Sequence, residues 1–370
     1  MKLKIITFIQ KEIVFCIAGL FAIMSAFAVP PSKAYLDYID FRVLALLFCL
    51  MLVVAGFHAI GLFEKIIEKM IKHINSTRQL SFALVFMCFF TSMFITNDVA
   101  LITFVPFAIM ILQKIKKQKL MIFVIVMQTI AANLGSMFTP LGNPQNLYLY
   151  SISNMNMLEF LKLMFPVTFI SLLLIAVTLL FMKNETVGTI EGIDKVKINE
   201  TQMAVFVVLF VICLCAVLHV IDYRIAFVIV MITVLIFDRK LIAEADYLLL
   251  LTFVAFFIFV GNMKNIPYIV DALASVVTGN EIIVSTIASQ VISNVPAAIL
   301  LSGFTTNYQM LILGTNIGGL GTLIASMASL ISYKFYGKTE GAQKGKYLAI
   351  FSAINLIYLF IILAVCTIIV

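Results

Sequence analysis

Three polar residues, Thr96, Asn97 and Asp98, lie within a run of mostly apolar residues from Leu80 to Leu112. A charged side chain is costly in hydrocarbon unless it is partnered or faces a cavity, so an ionisable residue in such a run indicates a functional site. Asp98 is the ionisable member of this group, and it is suited to bind a coupling cation or to carry a coupling proton. Its alternative role is that of a charged residue at the start of a helix, where the helix dipole favours a carboxylate.

The run from Leu80 to Leu112 is too long for one crossing of a bilayer and short for two. As one helix rising about 1.5 Å per residue it would extend roughly 50 Å, whereas the hydrocarbon core is about 30 Å thick. We therefore predict a re-entrant helical hairpin over about 80–112, with residues 96–98 at its tip. Two very short full spans are the alternative, because they would give the same topology.

A second copy of this pattern is formed by Ser293, Asn294 and Val295, where a hydroxyl residue again precedes an asparagine. It predicts a second hairpin over about 282–304. In both copies a new helix follows the asparagine, so free N–H groups and the positive end of the dipole would face the cavity and suit an anion. Helix capping is the structural alternative, because Ser, Thr, Asn and Asp are also the preferred N-cap residues.

Each copy is followed by an interruption of the next apolar run. An asparagine, a glycine and a threonine recur there at the same spacing, as Asn133, Gly135 and Thr139 in the first half and as Asn316, Gly318 and Thr322 in the second. Residues 133–146 are rich in Asn, Gly and Pro, so we predict that they are not helical and line the same cavity, with residues 314–322 in that role in the second half. A simple kink of the span is the alternative explanation for the first interruption, and close helix packing is the alternative for the glycines of the second.

These patterns give two overlapping sets of candidate site residues. Hydroxyls, amides and one carboxylate would bind a small anion, and these residues are Thr96, Asn97, Asp98, Asn143, Gln145, Asn146, Ser293, Asn294, Thr315 and Asn316. Carbonyl and amide oxygens at broken helices suit Na+, and these residues are Asn97, Asn133, Gly135, Asn294, Gly318 and Thr322. Asp98 would also carry the coupling proton.

The composition indicates a polytopic membrane protein. Hydrophobic residues make up 63% of the chain and charged residues 12%, with a mean hydropathy of +1.14, whereas soluble domains are about 45–50% apolar. The net charge is +7, but the basic residues form short clusters between apolar runs, an arrangement that orients helices in a bilayer. The lipid bilayer is therefore the expected partner, and nucleic acid is not.

Tracing the spans divides the chain into a first half over 1–182, a cytoplasmic linker over 183–200 and a second half over 201–370. With both hairpins re-entrant, twenty of the 25 basic residues fall on the cytoplasmic side, as the positive-inside rule requires. The N-terminus is then cytoplasmic and the C-terminus outside, and the two hairpins enter from opposite sides. The predicted fold is an all-α polytopic membrane protein of two inverted repeats, each with a re-entrant helical hairpin and an interrupted transmembrane helix.

At these residues the chain resembles the ion transporter superfamily, which includes arsenite permeases, citrate transporters, sodium/proton antiporters and divalent anion/sodium symporters. In the carboxylate branch both hairpin tips read Ser-Asn-Thr, and a Gly-Thr-Pro-x-Asn element resembles residues 142–146 here, with Asn143 in place of Thr. The Asn97–Asp98 tip is closer to the arsenite permeases and antiporters. The resemblance covers nearly the whole chain and implies inverted repeats, a mobile transport unit that moves against a scaffold, and frequently a homodimer.

The sequence therefore predicts a secondary active transporter in the cell membrane that moves a small anion, either a carboxylate or an inorganic oxyanion, coupled to Na+ or H+. The alternatives are an arsenite or antimonite efflux permease, a Na+/H+ antiporter and, from a different class, an anion channel. An enzyme is not expected, because one buried Asp without a neighbouring His or Cys does not form a catalytic set. No cofactor is expected apart from Na+ as a coupling ion.

Overall fold

The computed structural model describes residues 12–71, 74–187 and 197–369. Over these residues the chain forms eighteen α-helices and two 3-10 helices, and its β-structure is limited to an isolated bridge between Ser76 and Thr186. Within the same residues, seven helices are long and apolar enough to cross a membrane. The predicted all-α polytopic membrane protein is confirmed. The predicted cytoplasmic N-terminus and the centre of the predicted linker, residues 188–196, lie outside the described residues.

The described residues of the first half form nine α-helices. They are α1 (Ile13–Ala28), α2 (Ala34–Tyr38), α3 (Phe41–Ala59), α4 (Leu62–Ile71), α5 (Thr77–Thr91), α6 (Asn97–Lys114), α7 (Met121–Ser136), α8 (Pro144–Ile152) and α9 (Met157–Leu180). A 3-10 turn, Gln118–Leu120, leads into α7. The helices α5 and α6 are the arms of the first predicted hairpin, and α7 and α8 form the first interrupted span.

The described residues of the second half also form nine α-helices. Its helices are α10 (Glu200–Val217), α11 (Tyr223–Phe237), α12 (Tyr247–Lys264), α13 (Pro267–Val277), α14 (Glu281–Ile292), α15 (Asn294–Leu301), α16 (Tyr308–Ile317), α17 (Met327–Tyr336) and α18 (Lys344–Ile369). A 3-10 helix, Arg239–Glu244, joins α11 to α12. The helices α14 and α15 are the arms of the second predicted hairpin, and α16 and α17 form the second interrupted span.

The arms of the second hairpin are too short to cross a bilayer separately. The helix α14 has 12 residues and α15 has 8, which corresponds to about 18 Å and 12 Å, whereas the hydrocarbon core is about 30 Å thick. This length favours a re-entrant hairpin in the second half. In the first half α6 has 18 residues and is long enough to cross, so the re-entrant path of the first hairpin stays a prediction.

Both hairpins turn at the residue before an asparagine. Thr96 has an extended backbone with φ −63° and ψ 150°, and α6 begins at Asn97. Ser293 has φ +75° and ψ 155°, and α15 begins at Asn294. A non-glycine residue at such a positive φ costs about 1–3 kcal/mol and persists only where its surroundings fix it. The second tip is therefore held in place by its contacts with the rest of the chain.

The interruption of each span is shorter than the sequence predicts. Residues 133–136 complete α7 and Asn146 lies in α8, so the non-helical segment of the first half covers 137–143 and not 133–146. In the second half residues 314–317 belong to α16, and the break covers 318–326. The prediction failed because Asn and Gly are tolerated in membrane helices where neighbouring helices satisfy the polar groups, and composition does not show those neighbours.

Close packing between hairpin and interrupted span occurs at matching positions in the two halves. A Cβ atom on Gly135 would lie 2.7 Å from Ser92 Oγ, and a Cβ atom on Gly318 would lie 2.6 Å from Ser289 Oγ. Each glycine therefore allows the span to touch the first arm of its own hairpin. Close packing is the alternative that the sequence analysis gives for Gly318, and the structure shows it at both glycines. Binding of Na+ at Gly135 and Gly318 stays a prediction.

A pair of threonines makes the corresponding hydrogen bonds. The Thr139 hydroxyl donates to the carbonyl of Met93, and the Thr322 hydroxyl donates to the carbonyl of Gln290 at 3.1 Å. Each bond joins the non-helical segment of an interrupted span to the region where the first arm of the hairpin in the same half ends. These paired contacts support the predicted repeat, while the opposite orientation of the halves in the membrane stays a prediction.

The first residues of the predicted linker are attached to the base of the first hairpin. The backbone N–H of Thr77 donates to the carbonyl of Glu185 at 2.9 Å, and the N–H of Val187 donates to the carbonyl of Asn75 at 3.0 Å. The Glu185 carboxylate pairs with Lys117 and Lys183. Hydrogen bonds from these two lysines hold the pKa of Glu185 below its usual value. The end of α9 is thereby fixed to the start of α5.

We predict that Gly135→Ala destabilises the protein, because the new Cβ would lie 2.0 Å from the backbone carbonyl oxygen of Phe89. Overpacking of this kind costs about 1–3 kcal/mol. The thermal unfolding temperature in detergent measures the effect. Gly19→Ala in α1 is the control, because no heavy atom lies within 4 Å of its Cβ position and Ala is the better helix former. Equal unfolding temperatures for both variants would contradict the packing described here.

Candidate functional site

The two tip asparagines are held by the same backbone contacts. The N–H of Asn97 donates to the carbonyl of Gly142, and the N–H of Asn294 donates to the carbonyl of Ala325, both at 3.0 Å. The amide oxygen of each asparagine accepts the N–H of the following residue at 3.0 Å. Each tip is therefore bound to the non-helical segment of its own interrupted span, and the asparagine amide oxygen satisfies one N–H group at the start of the new helix.

Asn133 connects the first tip to the second half of the chain. Its amide oxygen accepts hydrogen bonds from Asn97 Nδ2 and from Ser326 Oγ, both at 3.0 Å. Its Nδ2 donates to the carbonyl of Gly319 at 3.3 Å. A Cβ atom on Gly319 would lie 3.0 Å from Asn294 Nδ2, so the second tip is next to the same cluster. Predicted site residues from both halves thus meet around Asn133.

Asn316 makes the corresponding connection in the opposite direction. Its amide oxygen accepts from Asn143 Nδ2 at 3.0 Å, and its Nδ2 donates to Asn146 Oδ1 at 2.5 Å. Asn143 stands at the same position after Asn133 as Ser326 does after Asn316. Each half therefore places this residue on the asparagine of the other half. We call these residues, together with the two tip asparagines, the amide cluster: Asn97, Asn133, Asn143, Asn146, Asn294, Asn316 and Ser326.

Three other predicted residues, Thr315, Gln145 and Ser293, are buried near the amide cluster. The Thr315 hydroxyl donates to the carbonyl of Leu311 in its own helix at 2.8 Å. Gln145 is buried in α8, and Ser293 Oγ lies 3.5 Å from Asn294 Oδ1. Binding of an anion or of Na+ by any of these residues stays a prediction.

Two residues of the centre were missed by the sequence reasoning. Gln290 donates from Nε2 to the carbonyls of Gly318 and Leu320 at 2.9 Å, and its Oε1 accepts the N–H of Thr322 at 2.9 Å. Ser326 is the second missed residue. The signal for Ser326 was present, because it occupies the position of Asn143 in the repeat. Gln290 corresponds to an apolar methionine, so the repeat gave no signal for it.

A cavity of about 580 Å³ adjoins the first hairpin tip. Three predicted site residues line it, namely Thr96, Asp98 and Asn143, together with apolar residues of α3 and the segment between α11 and α12. The Asp98 Oδ1 atom is buried and has no hydrogen-bond partner among the residues that the structure describes. Asp98 is therefore a carboxylate with an unsatisfied acceptor atom at the wall of a cavity large enough for a small solute.

The other charged residues of the cavity wall are mostly acidic. Asp238, Glu244 and Asp246 line it together with Lys240 and with His58 near the end of α3. Asp238 and Asp246 each also accept a backbone N–H at a helix start, at 3.0 Å and 2.9 Å. Sequence reasoning assigned no role to these acids, because a capping aspartate between two spans looks the same whether or not a cavity lies beside it.

The arrangement combines neutral dipoles at the centre with one unsatisfied carboxylate beside them. Amide groups present both donors and acceptors and do not titrate in the usual pH range. A carboxylate without a partner in a partly dry site gains strongly from binding a proton or a metal cation. The site can therefore bind polar solutes through dipoles and a cation through Asp98.

Comparison with known proteins matches the chain to a transporter family. The profile of a citrate transporter family matches residues 3–309. The chain is 32% identical over 301 residues to an uncharacterized transporter of Methanocaldococcus jannaschii, covering 80% of this chain and 81% of that protein. It is 30% identical over 341 residues to the inner membrane protein YbiR of Escherichia coli, covering 90% of each chain. The resemblance that the hairpin tips predicted is thereby confirmed.

We predict that Asn133→Ala lowers stability more than Ser326→Ala. The first change leaves the buried donors of Asn97 and Ser326 without their acceptor, at a cost of about 1–3 kcal/mol for each unsatisfied group. The second change removes a donor and leaves an acceptor that still binds Asn97. Thermal unfolding in detergent of both variants and of the double variant measures the coupling. Additive effects of the two changes would show that the bond between the halves contributes nothing.

Proposed function

Because the chain belongs to the citrate transporter family, we propose that it is a secondary active transporter that moves a small anion together with Na+ or H+. The anion is a carboxylate or an inorganic oxyanion, held by the amide cluster and the hydroxyl of Thr96. The observation that carries the proposal is the unsatisfied Asp98 oxygen at the wall of a 580 Å³ cavity beside that cluster. Asp98 takes the coupling ion.

The acidic wall of the cavity sets the order of binding in this proposal. An anion that enters the cavity meets Asp98, Asp238, Glu244 and Asp246 against Lys240 alone, and like charges repel strongly where water is partly excluded. Binding of H+ or Na+ to Asp98 removes the charge next to the amide cluster, so the anion follows the cation. The coupling is reciprocal, and the bound anion raises the affinity for the cation by the same factor.

In this proposal, the position of the cavity indicates which side of the membrane it faces. Residues 238–246 follow a predicted cytoplasmic end of α11, and the basic residues Arg239 and Lys240 lie there. The cavity in this structure therefore faces the cytoplasm in the predicted orientation, with the N-terminus cytoplasmic and the C-terminus outside. Broken helices that meet near the membrane centre are typical of alternating-access transporters. A homodimer is part of the proposal, because the family resemblance implies one.

A cation/proton antiporter is the second candidate, and the charge of the cavity favours it. Four carboxylates and one lysine line the wall, so a monovalent cation would enter more readily than an anion. In that case Asp98 would bind the cation and H+ in turn, because one carboxylate oxygen pair accommodates only one of them at a time. The amide cluster would then have a structural role only.

Uptake by the purified protein in liposomes tests the proposal. We expect a Na+ or H+ gradient to drive uptake of at least one anion from a panel of carboxylates and oxyanions, and we expect Asp98→Asn to remove the dependence on the gradient. The matched control is Asp271→Asn, the same change at an exposed position in α13, which should transport like the unchanged protein. Circular dichroism and thermal unfolding show whether each variant is folded.

The outcomes separate the two candidates. Gradient-driven anion uptake that depends on Asp98 supports the anion transporter. Proton movement on addition of Na+, without uptake of any anion, supports the antiporter and makes Asp98 its centre. Unchanged coupled uptake by a folded Asp98→Asn variant would rule out the assigned role of Asp98.

A further inference from the structure

A groove with mostly apolar walls runs between α3 and α11. It has a volume of about 470 Å³, and its sides are formed by Leu44, Ala45 and Phe48 of α3 and by Phe227 and Val228 of α11. None of the residues that line it also lines the 580 Å³ cavity. The groove is therefore a second cavity, separate from the candidate site.

The groove extends from the first turns of both helices toward the membrane centre. The helix α3 begins at Phe41 and α11 begins at Tyr223, and both residues line the same end of the groove. Phe48 follows seven residues after Phe41, which corresponds to about 10 Å along a helix. Half of the hydrocarbon core is about 15 Å thick. The groove therefore lies within one leaflet, the outer one in the predicted orientation.

The surface of α11 around the groove faces lipid. Val228 in the groove wall is exposed, and so are Ile225 and Ile232 beside it on the same helix. A membrane helix that exposes only apolar side chains over several turns is in contact with acyl chains. The side walls of the groove consist of Leu, Ala, Phe and Val side chains, which offer no hydrogen-bonding group. They therefore suit a hydrocarbon chain.

The outer end of the groove carries a cation. Arg224 lines this end in the first turn of α11. Its Nε donates to the hydroxyl of Tyr223 at 3.3 Å, and its guanidinium carbon lies 5.5 Å from the centre of the Tyr223 ring. Arg224 is exposed, and it forms no ion pair with any residue that the structure describes. Tyr223 therefore holds the guanidinium at the groove end with its terminal nitrogens open to a ligand.

The other charged groups at this end are bound to backbone atoms. Asp222 Oδ1 accepts the backbone N–H of Arg224 at 2.7 Å as the N-cap of α11, and Asp40 accepts a backbone N–H at the start of α3 at 3.0 Å. Arg42 donates from Nη2 to the carbonyl of Ala216 at 2.9 Å. Both acids weaken the attraction of this end for an anion, but neither of them pairs with the Arg224 guanidinium.

A second copy of this chain is the other occupant that an apolar groove in a membrane could take. In a two-fold dimer the same surface of both copies meets. An interface centred on this groove would therefore bring two Arg224 side chains together, and like charges repel strongly where water is excluded. A phosphate group has the opposite charge and matches the fork of a guanidinium. Charge complementarity thus favours a phospholipid.

We propose that the groove between α3 and α11 binds one anionic phospholipid, with an acyl chain between Phe48 and Phe227 and the phosphate on Arg224. A guanidinium forms paired hydrogen bonds with phosphate oxygens, and a net negative headgroup adds charge attraction. A free phosphate ion shares the second half of this chemistry, but it would leave the apolar walls uncovered.

The lipid would lie directly behind the wall of the 580 Å³ cavity. The helix α3 separates the two, because Leu47 lines the cavity and Phe48 lines the groove. The ring centre of Phe48 lies 6.1 Å from that of Phe227 and 6.0 Å from that of Tyr247, and Tyr247 directly follows Asp246 of the cavity wall. An acyl chain against Phe48 therefore supports the packing of α3 on the start of α12.

Fluorescence from an introduced tryptophan tests the proposal, because the chain contains no tryptophan of its own. Val228→Trp places the fluorophore in the groove wall. Val211→Trp in α10 is the matched control, the same change at a similarly exposed position, 49% against 52%, outside the groove. Each variant is placed in phosphatidylcholine vesicles that contain a minor share of phosphatidylglycerol. Bromine atoms on the acyl chains of one lipid or the other quench a tryptophan that the lipid touches.

We expect phosphatidylglycerol to be preferred over phosphatidylcholine about fivefold at Val228→Trp, the factor that one arginine near an anionic surface provides. At Val211→Trp the two brominated lipids should quench equally. Adding Arg224→Gln to Val228→Trp should remove the preference. Arg239→Gln, the same change at an exposed position beyond the other end of α11, should leave it intact. Thermal unfolding shows whether each variant is folded.

Three outcomes would overturn the proposal. Equal quenching by both lipids at Val228→Trp, or a preference that survives Arg224→Gln, would show that the groove holds lipid without selecting it. Loss of the preference in inorganic phosphate, but not in chloride of the same ionic strength, would reduce the site to a phosphate-ion site. Quenching by neither lipid would show that protein covers the groove, as in a dimer. None of these measurements requires transport, so they stand or fall independently of the proposed function.

Discussion

Polar groups inside hydrocarbon must find their partners within the protein, and this requirement determines the centre of the molecule. Eight helices, the four hairpin arms and the four parts of the interrupted spans, begin or end there, and their terminal N–H and C=O groups have no partner within the helix. The N–H groups of Asn97 and Asn294 bind the carbonyls of Gly142 and Ala325, each in the non-helical segment of the next span. Each hairpin tip therefore depends on the break in the following span for this hydrogen bond.

The side chains extend this dependence across the two halves. Asn143 binds Asn316, and Ser326 binds Asn133, so each half completes the hydrogen bonding of the other. The result is a neutral centre of fixed dipoles that can face ions of either sign. Asp98, next to Asn97 in the chain, brings a charge to this centre, and the acids of residues 238–246 add further negative charge along the cavity wall. The amide cluster thus holds the polar groups of the centre in fixed positions. In the proposed transporter, the net charge beside them changes when the coupling ion binds to Asp98.

The sequence predicted those features that are local or repeated. Helix order, both hairpin tips and the pairing of Asn133 with Asn316 could be read from apolar runs and matching spacing, and Ser326 could have been found in the same way. The length of the interruptions could not, because whether Asn133 ends a helix or belongs to one depends on a partner, Ser326, far along the chain. Residues such as Gln290 and Asp246 were missed because only the packed structure shows what lies beside them.

The difference between the two tips is the strongest reason to regard the centre as more than a structural joint. Backbone contacts at the tips are alike in both halves, yet Asp98 stands where the second half has Val295. Capping alone would be served equally well by a neutral residue, as the second half demonstrates. A carboxylate with an unsatisfied oxygen costs stability, so its presence at one tip needs a return in function. In the proposed transporter that return is the binding of the coupling ion at one tip only, which makes the two sides of the site inequivalent.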